Sequence, residues 1–309
     1  MRFYCDTMKH ARFLAAFLAI SLLLAGCTSG PVQPSSGKLE VVASFFPLYD
    51  FAKNVGGDRV EVTMLIPPGV DPHEFELSPS DAMKLGNARV FLYNGAGMEP
   101  WVPQLLQGTD NKNLISVDTS KGIDFIVSKD ADEPGNDPHV WLDPLLAKKQ
   151  VIAIRDAFIE ADPAGKDYYE KNAADYMAKL DELDSEFRTA MASCKKRDVL
   201  IAHATLGYFC KEYGCKQIPI EGINPEAEPL PADIAAIITQ AKEHNVTTVF
   251  IEKLVSPKAA QTIADEINGT TVTFNSVHGI TLDEMSRGET YLSLMHENVP
   301  IIKTALECS

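Results

Sequence analysis

Short apolar runs of β type alternate with helical patterns on both sides of one long amphipathic stretch, and few folds accommodate that order. In the first half the runs lie at residues 39–45, 60–66, 88–93 and 114–117, with helical patterns at 47–56, 78–85 and 101–106. In the second half the runs lie at 199–202, 216–220, 246–251 and 271–274, with helices predicted at 205–213, 231–245, 258–268 and 288–306. Strands that take turns with helices specify parallel sheets covered by helices. Start signals agree: Ser78-Pro79-Ser80-Asp81 caps one helix, and Asp143-Pro144 supplies the N-cap and first residue of another running to about residue 161. Between the halves, Tyr169, Asn172, Tyr176, Leu180, Leu183, Phe187 and Met191 recur every three or four residues after Asp162-Pro163. Roughly 30 helical residues at 1.5 Å each span about 45 Å, enough to run beside two lobes.

The N-terminus sets the compartment. Lys9, His10 and Arg12 precede an apolar run at 13–24, and Leu24-Ala25-Gly26-Cys27 follows. That is a charged region, a short apolar core and a small-residue cleavage site. The run is too short for an ordinary membrane-spanning helix. The Leu-Ala-Gly-Cys phrase resembles a bacterial lipobox, which implies cleavage before Cys27 and lipidation of its thiol. The signal reads best from Met8, with residues 1–7 outside the translated protein. Residues 27–38 then form a flexible tether.

The 309-residue chain carries 28 Lys and Arg against 43 Asp and Glu, a net charge of −15. Removing residues 1–26 takes away Arg2, Lys9 and Arg12 against Asp6, a net +2, and leaves 283 residues at −17. Such a surface is a poor partner for nucleic acid, which needs clustered Lys and Arg. Of six cysteines, Cys5 and Cys27 belong to the export signal. Cys194, Cys210, Cys215 and Cys308 remain, with three pairings open. Cys210 and Cys215 flank a helix end at Tyr213-Gly214 and are a candidate bridge in an oxidising compartment. No Cys-x-x-Cys pair offers a cysteine zinc site.

Histidine carries the chemistry. His73 sits in the stiff turn Asp71-Pro72-His73-Glu74, just past a strand stopped by Pro67-Pro68-Gly69. A related phrase returns at Asp137-Pro138-His139, after a polar, acidic loop at 128–138. His203 follows the apolar run at 199–202, and His278 follows the last strand in Asn275-Ser-Val-His278-Gly279. Ligands of parallel sheets bind outside the carboxyl ends of strands. Two lobes facing each other would bring these four loops to one point, a metal site in the inter-lobe cleft. His10, His244 and His296 lie within signal or helical patterns and take no ligand role.

Across residues 39–307 the chain resembles the zinc/manganese-type substrate-binding lipoproteins of ABC importers, the ZnuA/TroA-like family. The resemblance rests on Val41-Val-Ala-Ser-Phe-Phe-Pro-Leu-Tyr49, Pro67-Pro-Gly-Val-Asp-Pro-His-Glu-Phe75, Asp137-Pro-His-Val-Trp-Leu-Asp-Pro144, and His203 with Gly207-Tyr-Phe209. Glu226-Ala-Glu-Pro229, Phe250-Ile-Glu252 and Tyr291-Leu-Ser-Leu-Met-His-Glu-Asn298 follow in the same order. It implies three ligands at His73, His139 and His203, and a fourth from the loop after the last strand, usually a carboxylate. Asn275 stands where an Asp is common, so His278 is expected as the fourth ligand, with Asn275 or water as the alternative. Glu228 and Glu252 are candidate partners that orient ligand rings. Three imidazoles favour Zn2+ over Mn2+, which prefers more oxygen.

The expected architecture is α/β, with two lobes, each a mainly parallel sheet flanked by helices, joined by one long connector helix. The segments are a signal with lipobox (1–26), a tether (27–38), an N-terminal lobe (39–160), the connector (161–195) and a C-terminal lobe (196–309). The implied function is a lipid-anchored, monomeric receptor on the extracytoplasmic face of the cell membrane. It delivers zinc, or alternatively manganese, to an ABC permease. A surface adhesin-like lipoprotein without a transport role is the rival. An enzyme is not expected: no His-Glu-x-x-His helix is present, and four converging ligands would close the open coordination position a zinc hydrolase needs. Asn94-Gly95-Ala96-Gly97 lacks the spacing of a nucleotide loop and reads as a turn.

Overall fold

The computed structural model describes residues 37–128, 135–223 and 229–309. The export signal, Met8, Cys27, Glu228 and most of the acidic loop lie outside the described residues. Strands β1 (Leu39–Ala43), β2 (Val60–Met64), β3 (Val90–Tyr93) and β4 (Ile115–Asp118) form a sheet ordered β2-β1-β3-β4. Strands β5 (Asp198–His203), β6 (Lys216–Glu221), β7 (Thr248–Ile251) and β8 (Thr270–Thr273) form a second, ordered β6-β5-β7-β8. Every pairing in both is parallel. The two orders are one topology used twice, which is the repeat the alternation predicts.

Ten helices complete the described fold: α1 (Phe46–Gly56), α2 (Pro79–Gly86), α3 (Val102–Gln107), α4 (Pro144–Ala161), α5 (Lys166–Ala192), α6 (Gly207–Tyr213), α7 (Pro231–Glu243), α8 (Lys258–Glu266), α9 (Leu282–Arg287) and α10 (Tyr291–Ala305). They cover both faces of each sheet, so central strands are buried on both sides. Neighbours in β1 show it: Val41 packs into the main core, while Val42 packs with Leu85, Phe91 and Leu105 on the opposite face.

The connector is α5, 27 residues long, or about 40 Å. A 3-10 turn at Pro163–Gly165 precedes it, so Asp162-Pro163 marks the start as predicted. Its buried stripe runs Tyr169, Ala173, Tyr176, Leu180, Leu183, Phe187 and Met191. Asn172 stands beside that stripe and donates to Val55 O at 3.1 Å. Near one end Tyr176 meets Phe51 of α1, and near the other Phe187 meets Phe209 of α6, ring to ring at 5.8 and 5.0 Å. One hydrophobic core therefore runs through both lobes, from Val41 and Phe51 to Val199 and Phe250.

The structure pairs Cys194 with Cys308 and Cys210 with Cys215. The helix predicted over 288–306 is α10, and a short helix that the sequence reasoning did not predict, α9, precedes it. Gly288, at φ 74°, ends α9, and Thr290 caps α10. The start of α9 is a Thr281…Glu284 capping box, a legible signal that the apolar pattern alone missed. Among the described residues no helix is long and apolar enough to cross a membrane.

Candidate metal centre

Each ligand loop is built by local chemistry. Asp71 Oδ1 accepts a hydrogen bond from the backbone N–H of His73 at 2.8 Å, and Asp137 Oδ1 accepts one from that of His139 at 3.0 Å. Each is an aspartate-closed turn with a proline between, which fixes φ at the middle residue. The second loop is also gripped from behind, where Asn94 Nδ2 donates to Pro138 O at 2.9 Å and Gln150 Nε2 donates to Asn94 Oδ1 at 2.9 Å. His203 is the last residue of β5, with its side chain fully buried at the sheet's carboxyl end.

His73 and His139 come from the N-terminal lobe and His203 from the C-terminal lobe, and their ligand atoms all lie within 4.8 Å of one another. His139 Nε2 is 3.3 Å from His73 Nε2 and 3.3 Å from His203 Nε2. Nitrogens about 2.0–2.1 Å from a tetrahedral zinc stand about 3.3–3.4 Å from each other, so both separations match edges of that polyhedron. The other ring nitrogens of His139 and His203 face carboxylates. His139 Nδ1 meets Asp137 Oδ1 at 2.8 Å, and His203 Nδ1 lies 2.6 Å from Glu252 Oε1. A proton on each Nδ1 leaves each Nε2 a bare lone pair, and lone pairs that converge call for a cation.

The electrostatics agree. Burial, then the neighbouring rings His139, His203 and His278, pushes the His73 imidazole well below its usual range. Burial, then His203 and His278, does the same to His139. Both rings are therefore neutral, the ligand form, at physiological pH. Burial works to raise the Glu252 carboxyl, but His203 and His278 outweigh it and hold it at about 2. A charged carboxylate thus stands behind the His203 ring. Burial pushes Asp137 up to about 7, opposed by the His139 backbone N–H and the His203 ring.

The fourth position differs from the other three. His278 is buried beside the cluster, its ring centroid 6.1 Å from that of His73 and 5.9 Å from that of His203. Its Nε2 is 3.3 Å from Asp71 Oδ2, and its Nδ1 bonds Ser276 Oγ. Burial lowers the His278 pKa, but the Asp71 bond and charge and Glu252 outweigh it and raise it. Its nitrogens are outside the group of three. Asn275 is committed elsewhere: Oδ1 accepts from Val277 N at 3.0 Å, and Nδ2 donates to Glu284 at 3.2 Å. Its amide serves the loop. His244 and His296 pair at the surface with Asp198 and Glu186.

Sequence reasoning named Glu252 but passed over Asp71 and Asp137 as partners of the rings. The signal was the repeated Asp-Pro-His phrase itself. Asp137→Ala is expected to weaken zinc binding about 10- to 100-fold, since it frees the ring that Asp137 orients. Competition against a zinc chelator reads this, and unchanged affinity would count against the role.

Glu99 supports the same loop from deeper in the lobe. Fully buried, it accepts from Ser44 Oγ at 2.6 Å, Asn94 N at 2.8 Å and Gly95 N at 3.0 Å, yet burial lifts its carboxyl to about 7. Between its unfolded pKa and that value the folded protein holds a proton the unfolded chain has lost. Its stabilising share is therefore full at low pH and lost as pH rises to about 7, on the order of 3 kcal/mol. Glu99→Gln is expected to remove that share of the slope in thermal melts between pH 5 and 8. A parallel slope in variant and parent would contradict it.

Residues 41–305 match the family of zinc-uptake complex component A, periplasmic. The chain is 37% identical over 308 residues to the high-affinity zinc uptake system protein ZnuA of Bacillus subtilis, covering 95% of this chain and 97% of that one. It is 33% identical over 307 residues to the zinc-binding lipoprotein AdcA of Streptococcus pneumoniae, covering 96% of this chain and 61% of that longer protein. Among solved structures, the Zn(II)-bound ZnuA-like domain of S. pneumoniae AdcA superposes with a TM-score of 0.76 at 34% identity, covering 88% of this chain and all of that one.

Proposed function

The chain belongs to the zinc-uptake complex component A family, and from that premise we propose that it is the receptor that captures zinc and hands it to the permease of an ABC importer. The observation that carries this is the pair of 3.3 Å separations between imidazole nitrogens drawn from both lobes. Zinc is the metal of this reading. Three imidazoles suit zinc better than manganese, and the two 3.3 Å separations match edges of a tetrahedron. The expected fourth ligand is His278, which reaches the metal once its Nε2 leaves Asp71. In this reading the receptor is a monomer held by a lipid at Cys27 on the extracytoplasmic face; the Leu-Ala-Gly-Cys phrase supports the anchor, and a relative of the same family is named a zinc-binding lipoprotein. No catalytic step is assigned to it.

Ion capture here needs only a small lobe movement, because a continuous core and one stiff helix join the lobes. Titration of the full chain with zinc and with manganese tests the reading. One tight equivalent of zinc, with manganese bound more weakly, is expected. Absence of stoichiometric zinc, or manganese bound more tightly, would overturn the zinc assignment.

A further inference from the structure

The loop at 275–281, which carries His278, is held by a single buried carboxylate that belongs to no ligand set. Glu284, the third residue of α9, is 3% exposed. Its Oε2 accepts from Thr281 N at 2.9 Å and Thr281 Oγ1 at 2.8 Å, at the loop's far end. Its Oε1 accepts from Asn275 Nδ2 at 3.2 Å, at the near end, and from Lys253 Nζ. Lys253 directly follows Glu252, the partner of His203. Asn298 secures the near end further, accepting from Asn275 N and donating to Asn275 O, both at 2.8 Å.

The clamped loop is strained. Val277 adopts φ 55° while 1% exposed, and a β-branched side chain holds the left-handed region only where its surroundings impose it. The loop also meets both N-terminal ligand loops. Ile280 O accepts from Gly69 N at 2.7 Å, beside His73, and Ser276 O accepts from Trp141 Nε1 at 2.8 Å, beside His139. A shift at either pinned end would move His278 relative to all three imidazoles.

We propose that Glu284 is a positioning residue for the metal site: by tying Asn275 to Thr281 it sets where His278 stands against His73, His139 and His203. This rests on the metal-receptor reading with His278 as fourth ligand. Glu284 touches no metal and acts only through the loop.

The test is a cycle on the full chain with four proteins: parent, Glu284→Gln, His278→Ala and the double variant. Zinc affinity comes from chelator competition, ligand geometry from the visible absorption of bound cobalt(II), and fold from thermal melts without metal. Glu284→Gln is expected to weaken zinc about 10- to 100-fold and to shift the cobalt spectrum, with no further loss when added to His278→Ala. Equal losses in both backgrounds would overturn the proposal, as would parental affinity and spectrum with only a lowered melting temperature. If His278→Ala binds like the parent, the positioning role falls while the receptor reading stands. If the parent itself binds no zinc, both fall. Should Glu284→Gln fail to fold, Thr281→Val, which removes one of the four donors, is expected to give a smaller loss with the same dependence on His278. Its absence would overturn the proposal.

Discussion

Replacing His139 with alanine is expected to weaken zinc binding by about a thousandfold or more, roughly 4 kcal/mol. Zinc bound by a complete protein shell is held by about 10–16 kcal/mol, so one of four ligands carries about 3–4 kcal/mol. His139 should lose at least that share. It is the ring whose Nε2 stands 3.3 Å from both other nitrogens, and its side chain is fully buried. Removing it also leaves the Asp137 carboxylate without its ring partner. Chelator competition measures the loss. Affinity within tenfold of the parent would mean that the metal sits elsewhere.

The second large effect is on stability. Replacing Cys194 and Cys308 together with serine is expected to cost about 2–5 kcal/mol. The bridge joins residues 114 apart in sequence and ties the chain's C-terminal end to the end of α5. Cross-links that close long loops remove the most entropy from the unfolded chain, with a ceiling near 5 kcal/mol at this length. For a fold of this size each kcal/mol shifts the melting temperature by about 2–4 °C, so a fall of roughly 5–15 °C should follow. The Cys210–Cys215 bridge, separated by 5 residues, should give a smaller effect. A melting temperature unchanged in the first variant would contradict this.

Much of this fold is legible in the sequence because parallel sheets write themselves as apolar runs with caps between. The eight strands and the connector follow from that pattern, and the proline-stiffened loops mark His73 and His139. Of the disulfides, Cys210–Cys215 was the candidate that spacing around a helix end offered, whereas Cys194–Cys308 was not legible, because spacing says nothing about which distant segments meet in space. The short helix α9 was missed because its six residues carry too little apolar rhythm to read, and only the Thr281…Glu284 capping box marks its start. The fourth ligand stayed open for another reason. Residue type favours an imidazole, but whether its Nε2 faces the metal or Asp71 depends on a loop whose geometry Val277, Asn275 and Glu284 set together.

A crystal of the zinc-loaded chain, with anomalous difference density measured at the zinc edge, tests the central claim most directly. The account predicts one strong peak about 2.0–2.1 Å from Nε2 of each of His73, His139 and His203. A peak outside that triangle, or none at full zinc loading, would contradict it.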